Sequence, residues 1–433
     1  MSYTTKSFFK PLFNKLSATY QYLKAVPVGF ILLSAFILLG YTNTWGQPNQ
    51  ENTTEGAKKW VGTWSTAPQL VEPRNMPPEP GLANNTLRQV VCVSIGGDKI
   101  RVRFSNAFSP DPVTMKTVQI AESEGGSNID ESTLKTLNFN GKQTVTMEPG
   151  TAVTSDPLAF NLDPRMELAI TIHFGSTSED VTGHPGSRTT SYLLPGNQVS
   201  KKDFAEAATA DRWYVINGID VKAPKSAEAI AILGNSITDG RGSGTNQQNR
   251  WPDILAKRLL DNPETKNVAV LNQGIGGNCV LRFCLGPSAL DRFERDVLDQ
   301  HGVKWLIILE GTNDLGQAQS KEDANRIAKD LIAAYKQMIK KAHTENIKVY
   351  GGTITPFGES FYYADYREKA RKKVNEWIRT SGQFDAVIDF DKAVRNPEKP
   401  STIQPDLHSG DHLHPNEKGY EKMGETINLE LFE

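Results

Sequence analysis

The chain has 433 residues, enough for two or three domains of about 100 to 200 residues and for cores that need no disulfide scaffold. Hydrophobic residues make up 38% and charged residues 23%, a balance that excludes a generally disordered chain. Lys and Arg number 48 against 50 Asp and Glu, a net charge of -2, so no basic surplus exists to neutralise a phosphate backbone and nucleic acid is not expected as a partner.

Residues 1 to 50 hold four lysines, Lys6, Lys10, Lys15 and Lys24, and no acid. An uncharged apolar run from Ala25 to Gly40 follows, and then small and polar residues. A basic start, an apolar centre and a small-residue end read as an export signal over 1–46, cleaved near Gly46. The other reading is an uncleaved signal anchor, because no charge separates Lys24 from Glu51. Both readings place the bulk of the chain outside the cytoplasm, periplasmic or extracellular, in contact with a membrane only if the signal is retained. Residues 47–58 are polar and read as a flexible linker.

From 59 to 222 the sequence reads as short strands between turn residues. Thr86–Ile95, Lys99–Phe104, Val113–Ala121, Gln143–Met147 and Glu167–Phe174 are rich in Val, Ile and Thr and are bounded by Gly-Gly-Asp, Ser-Pro-Asp-Pro and Asn-Gly. No amphipathic helix interrupts them, which predicts an all-β sandwich or jelly roll. Val221–Ala227 (VKAPKSA) reads as a linker into a second domain over 223–433. There, compact apolar runs at 229–233, 268–271, 305–309, 348–354 and 386–390 alternate with helical spacing, as in Ile327, Leu331, Tyr335, Met338 and Ala342, or Trp251, Ile254, Leu255 and Leu259. Continuous apolar strands alternating with helices predict an α/β fold around a parallel sheet covered on both faces.

Ligands of open α/β sheets bind outside the carboxyl ends of the strands. The first apolar run leads into Gly234-Asn235-Ser236-Ile237-Thr238-Asp239-Gly240, the second into Asn272-Gln273-Gly274-Ile275-Gly276-Gly277-Asn278, and the third into Glu310-Gly311-Thr312-Asn313-Asp314. Asp411-His412-Leu413-His414 precedes the last helical pattern. A serine at a strand-to-helix turn is placed as a nucleophile but needs a base, and His414 with Asp411 three residues upstream supplies one. Glycines after the second run expose backbone N–H groups, and Asn313 offers an amide, as an oxyanion requires. Each feature also has a plain structural reading. Ser236 can cap a helix, the glycines can simply turn the chain, Asn313-Asp314 can cap the next helix, and His408 and His412 stand as near as His414. The four together, at successive strand ends, favour chemistry.

These blocks resemble the SGNH hydrolases, the GDSL esterase/lipase family, over roughly residues 228 to 433. The resemblance implies a three-layer α/β/α flavodoxin-like domain in which Ser236 is the nucleophile and an oxyanion donor. It implies that Gly277 and Asn313 complete the oxyanion hole and that Asp411 and His414 complete the triad. No metal or organic cofactor is implied. One residue departs from the pattern, since Asn235 stands where the family usually has aspartate before the serine. Asp239 and Asp314 read as acceptors that brace the loops, the alternative being contact with substrate. The β half is similar to the domain that precedes this fold in some secreted bacterial esterases, and it carries no chemical motif.

The expectation is a secreted serine esterase acting on a carbohydrate acyl ester such as an acylated polysaccharide. Lipase or lysophospholipase activity is the alternative, acyl transfer uses the same acyl-enzyme, and a non-catalytic carbohydrate-binding protein is the rival from another class. Three cysteines are too few for a disulfide framework. Cys279 and Cys284, five residues apart, are expected to pair in an exported chain or else to stay as two buried thiols, with Cys92 the odd thiol in the β half.

Overall fold

A computed structural model describes residues 58–433. The export segment read over 1–46, and the linker up to residue 57, lie outside the described residues. Among the described residues no helix is long and apolar enough to cross a membrane.

The N-terminal half is a sandwich of antiparallel sheets. Its main strands are β1 (Lys58–Ser65), β2 (Thr86–Cys92), β3 (Gly97–Ser105), β4 (Val113–Gly125), β5 (Glu167–Phe174), the short β6 (Thr182–His184) and β7 (Ile216–Pro224). One sheet runs in the order β1, β7, β3 and Leu158–Leu162; the other has Ser191–Leu194, β2, β5 and β4 side by side. Alternation explains the packing. On β3, Ile100, Val102 and Phe104 are fully buried and meet Leu87, Val118, Ile120 and Ile170 of the facing sheet. Each such side chain removed from water contributes about 1.5 to 3 kcal/mol before conformational entropy is counted. The alternate residues, Arg101 and Arg103, point the other way and bond to His301 (2.9 Å) and Gln300 (2.6 Å) in the second half. The segment read as a linker is not one along its whole length. Val221–Pro224 completes β7, which pairs with β1 across more than 150 residues, and the chain passes between halves in the turn Lys225-Ser226-Ala227. The Pro and Lys that suggest a linker sit at the end of this strand, where a missing N–H is tolerated.

The second half begins at β8 (Glu228–Gly234), followed by the one-turn helix α1 (Ser236–Asp239) and by α2 (Trp251–Asp261), β9 (Val268–Gly274) and β10 (Val303–Leu309). Then come α3 (Thr312–Gly316), α4 (Lys321–Thr344), β11 (Lys348–Gly352), α5 (Asp365–Thr380), β12 (Ala386–Ile388) and α6 (Glu417–Thr426). The parallel sheet has the order β9-β8-β10-β11-β12, the flavodoxin-like arrangement, so direction reverses around β8 and a crevice opens at its carboxyl end. Ala231 and Leu233 of β8 pack under α4 and α5, while Ile230 and Ile232 pack under α2 and α6, which makes three layers.

The β half covers the β9 edge of this sheet. Ser94 Oγ accepts from the Val270 N–H (3.1 Å), Ser65 Oγ accepts from Gln273 Nε2 (2.8 Å), and the Gly62 N–H donates to His301 O (2.8 Å). Ala229, Ala269 and Leu271 belong to the same apolar core as Val61 and Trp64. One backbone N–H of the edge strand β9, that of Val270, is thus satisfied from the β half, and both halves over residues 58–433 form one compact unit.

Candidate active site

At the carboxyl end of β8, Asn235 caps α1 by accepting from the Ile237 N–H (3.0 Å), which sets Ser236 at the first helical position. Ser236 Oγ lies 2.8 Å from His414 Nε2, and His414 Nδ1 lies 2.6 Å from Asp411 Oδ2. The other Asp411 oxygen accepts from the backbone N–H of Leu413 (3.0 Å) and His414 (2.9 Å), a tight turn made possible by a left-handed His412 (φ 58°). Burial opposes ionisation of Asp411, but the bonds from the His414 ring and backbone hold its carboxyl well below the usual range. Burial also pushes His414 down from its ordinary value; Asp411 works against that shift, and the charges of Arg241 and Arg188 add to it. Burial thus favours the neutral imidazole, with Nδ1 toward Asp411 and Nε2 toward Ser236 Oγ. His408 and His412 lie with their rings 4.3 Å apart, and His412 faces Glu359 at 3.5 Å; neither meets Ser236.

Gly277 and Asn313 face Ser236 and His414 across one cleft of about 520 Å³. Gly277 has φ 75°, and a Cβ there would come within 2.7 Å of Leu285 Cδ1, so only glycine presents its N–H from this loop without strain. The loop is braced from several directions. Cys279 and Cys284 are bridged, and Asp314 accepts from the N–H groups of Val280 (2.9 Å) and Leu281 (3.1 Å). Asn278 donates to Leu285 O and Pro287 O. Asn313 sits on α3, donates one amide hydrogen to Asn278 O (2.6 Å) and accepts from the Tyr362 hydroxyl (2.9 Å), which leaves its second N–H for the cleft. Of the two extra acids in these loops, Asp314 braces the loop that follows Gly277 and Asp239 is 2% exposed and tied to His184, as loop acceptors should be.

Four further residues support the site, and three of them, Tyr362, Arg292 and His184, lie outside the motifs. Tyr362 orients Asn313. Arg292, fully buried, donates to Gly234 O (3.1 Å), Gln273 O (2.7 Å) and Asn278 Oδ1 (3.1 Å), joining the ends of β8 and β9 behind the nucleophile. Glu310, also buried, accepts from Asn235 Nδ2 (3.3 Å) and lies 3.6 Å from Arg292; burial pushes its carboxyl up to about 8, with Arg292 opposing and Asp314 adding. The fourth, His184, comes from the β half. Its Nδ1 meets Ala67 O (2.9 Å), its Nε2 meets Asp239 Oδ1 (2.8 Å), and its ring stacks on Trp213. A Cβ on Gly186 would lie 1.9 Å from the Asp239 carboxylate, so the glycine of the His184-Pro185-Gly186 turn is what allows the two halves to approach here. The signal that could have pointed to His184 is weak, a lone histidine before Pro-Gly. Among the described residues no group of three or more His, Cys, Asp or Glu side chains is arranged to hold a metal ion.

A sequence model of the GDSL-like lipase/acylhydrolase family matches residues 232–422. No curated protein sequence matches the chain. Similar solved structures include a lipolytic G-D-S-L family protein from Desulfitobacterium hafniense, 21% identical over 46% of this chain and 96% of its own, with a TM-score of 0.36. A GDSL-like lipase from Bacteroides thetaiotaomicron is 20% identical over 46% of this chain and 85% of its own, with a TM-score of 0.34. An acetyl xylan esterase is 22% identical over 46% of this chain and 96% of its own, with a TM-score of 0.36.

Proposed function

Residues 232–422 belong to the GDSL-like lipase/acylhydrolase family, and from that premise we propose an exported serine esterase that opens a carbohydrate acyl ester through an acyl-enzyme. The observation that carries the reading is the continuous relay from Ser236 Oγ through His414 to Asp411, on the floor of a cleft that Gly277 and Asn313 also line. Ser236 Oγ attacks the ester carbonyl while His414 Nε2 takes its proton, and Asp411 stabilises the imidazolium. The N–H groups of Ser236 and Gly277 and the Asn313 amide hold the oxyanion. His414 then gives the proton to the departing alcohol, and water repeats the sequence to release the acid.

Export is supported by the lysine-rich, then apolar, N-terminal sequence and by the Cys279–Cys284 bridge, which needs an oxidising compartment. A lipid ester is the second reading, favoured by the exposed Phe361 and Leu285 at the cleft mouth. Nitrophenyl esters of increasing chain length, set beside acetylated oligosaccharides, separate the two. Ser236→Ala should abolish hydrolysis and labelling by an organophosphonate while the protein stays folded; a variant that still turns over removes Ser236 from the mechanism.

A further inference from the structure

The wall that the β half contributes to this cleft carries a net positive charge. Arg74, Arg188 and Arg212 come from the β half and Arg241 from the loop after α1, against two lining carboxylates, Glu72 and Asp239. Glu72 accepts from the Gln69 and Asn75 amides, and Asp239 Oδ1 meets His184, while Asp239 Oδ2 has no hydrogen-bond partner among the described residues. The arginines are not fully used. Arg188 reaches Asp239 only at 3.8 Å, its Nε is buried with no hydrogen-bond acceptor among the described residues, and its backbone is left-handed (φ 52°), a conformation that costs a residue with a Cβ. Arg212 is held by Nε on Asn75 Oδ1 (2.9 Å), while Arg241 and Arg74 make no ion pair among the described residues. Guanidinium groups with donors to spare in one cleft are placed for a carboxylate or phosphate.

The charge is also sided. Arg188 and Arg241 are near enough to act on the His414 ring, whereas Gly277 is roofed by Leu285 and Asn313 by Tyr362, with Phe361 beside it. The leaving oxygen has to sit at His414 Nε2 to receive its proton, and the carbonyl oxygen at Gly277 and Asn313. The alcohol therefore departs along the arginine side. Resting on the esterase reading above, we propose that the substrate carries an anion on the alcohol side of its ester, bound by Arg188, Arg212 and Arg241. The reaction balances without it: the Ser236 Oγ–acyl bond forms, the acyl–alcohol bond breaks, the proton moves through His414 to the leaving oxygen, and the anion is a handle. A carboxylate on the acylated sugar and a phosphate on a lysophospholipid share this chemistry.

The test compares kcat/KM for 3-acetoxybenzoate with that for its neutral amide, 3-acetoxybenzamide. The carboxylate should be preferred by about 10-fold at low salt, less so as ionic strength rises, with the ratio falling toward unity in Arg188→Gln and Arg241→Gln. A ratio at or below unity in the wild type, or one unmoved by both substitutions, overturns the proposal. If no ester at all is cleaved, the esterase reading fails by itself. The anion site is then judged by calorimetry on Ser236→Ala: stronger binding of 3-hydroxybenzoate than of 3-hydroxybenzamide upholds it, and equal binding overturns it. Faster cleavage of acetylated oligogalacturonate than of acetylated xylo-oligosaccharide upholds a sugar carboxylate. Faster cleavage of lysophosphatidylglycerol than of monoacylglycerol upholds a phosphate, and no preference in either pair overturns both.

Discussion

Asn235 stands where the resemblance leads one to expect aspartate, and Glu310 explains the exchange. An amide can donate to the buried carboxyl at 3.3 Å, whereas a second carboxylate could not. Because the folded chain holds a proton on Glu310 up to about pH 8 that a free glutamate releases near 4.5, stability should fall as pH rises through that window. Asn235→Asp should therefore cost little at pH 6, where protonated Glu310 can donate to the new carboxylate, and about 1 to 3 kcal/mol at pH 9, where two buried anions face each other. Thermal melts at both pH values check this, and equal losses contradict it. His414 gives a second prediction. As a base it must be neutral, and burial lowers its pKa, so the acid limb of kcat/KM should lie below 6.5, the ordinary histidine value. Arg241→Gln removes a charge that helps to keep the ring neutral and should move the limb to higher pH, a shift that high salt reduces. The proposed catalytic residues were legible in the sequence, because Ser236, Gly277 and Asn313 sit in short blocks after apolar runs and Asp411 and His414 in a block just before the last helix. Tyr362, Arg292 and His184 were not, since each reaches the site only through contacts between residues 14 to 58 apart in the chain.

At the scale of elements, legibility followed burial. The runs at 229–233 and 305–309 are apolar throughout because both faces of the parallel sheet are covered, and they lie within β8 and β10. The strands β1 and β7 escaped notice because what defines them is pairing with each other across the whole β half. The loop after Gly277 has redundant support, a disulfide plus the carboxylate of Asp314 and the amide of Asn278. Its small ring removes little unfolded-chain entropy, about 2 kcal/mol on the loop-closure estimate. Replacing Cys279 and Cys284 by serine should lower Tm by only a few degrees but reduce kcat about 10-fold, because the aim of the Gly277 N–H loosens. An unchanged kcat in the folded variant would show that the hydrogen bonds suffice to hold the loop.

Residues 58–433 should behave as one folding unit, because the core that begins with Val61 and Trp64 continues into Ala269 and Leu271, and because His184 reaches across to Asp239. A chain of residues 223–433 alone should be insoluble or molten and inactive, with β9 bare along its edge, whereas residues 58–433 should melt in a single transition with esterase activity. Circular dichroism and hydrolysis assays on both lengths check this; an active, cooperative short form contradicts it. The pairing of β1 with β7 also has a consequence for synthesis. At roughly 5 to 20 residues per second, about 10 to 30 s pass between the emergence of β1 and that of its partner, and several more before β9 arrives. During that wait the nascent chain presents Trp64 and Val61 with nothing to cover them, so its yield in a cell should depend on a holding chaperone more than the stability of the finished protein suggests.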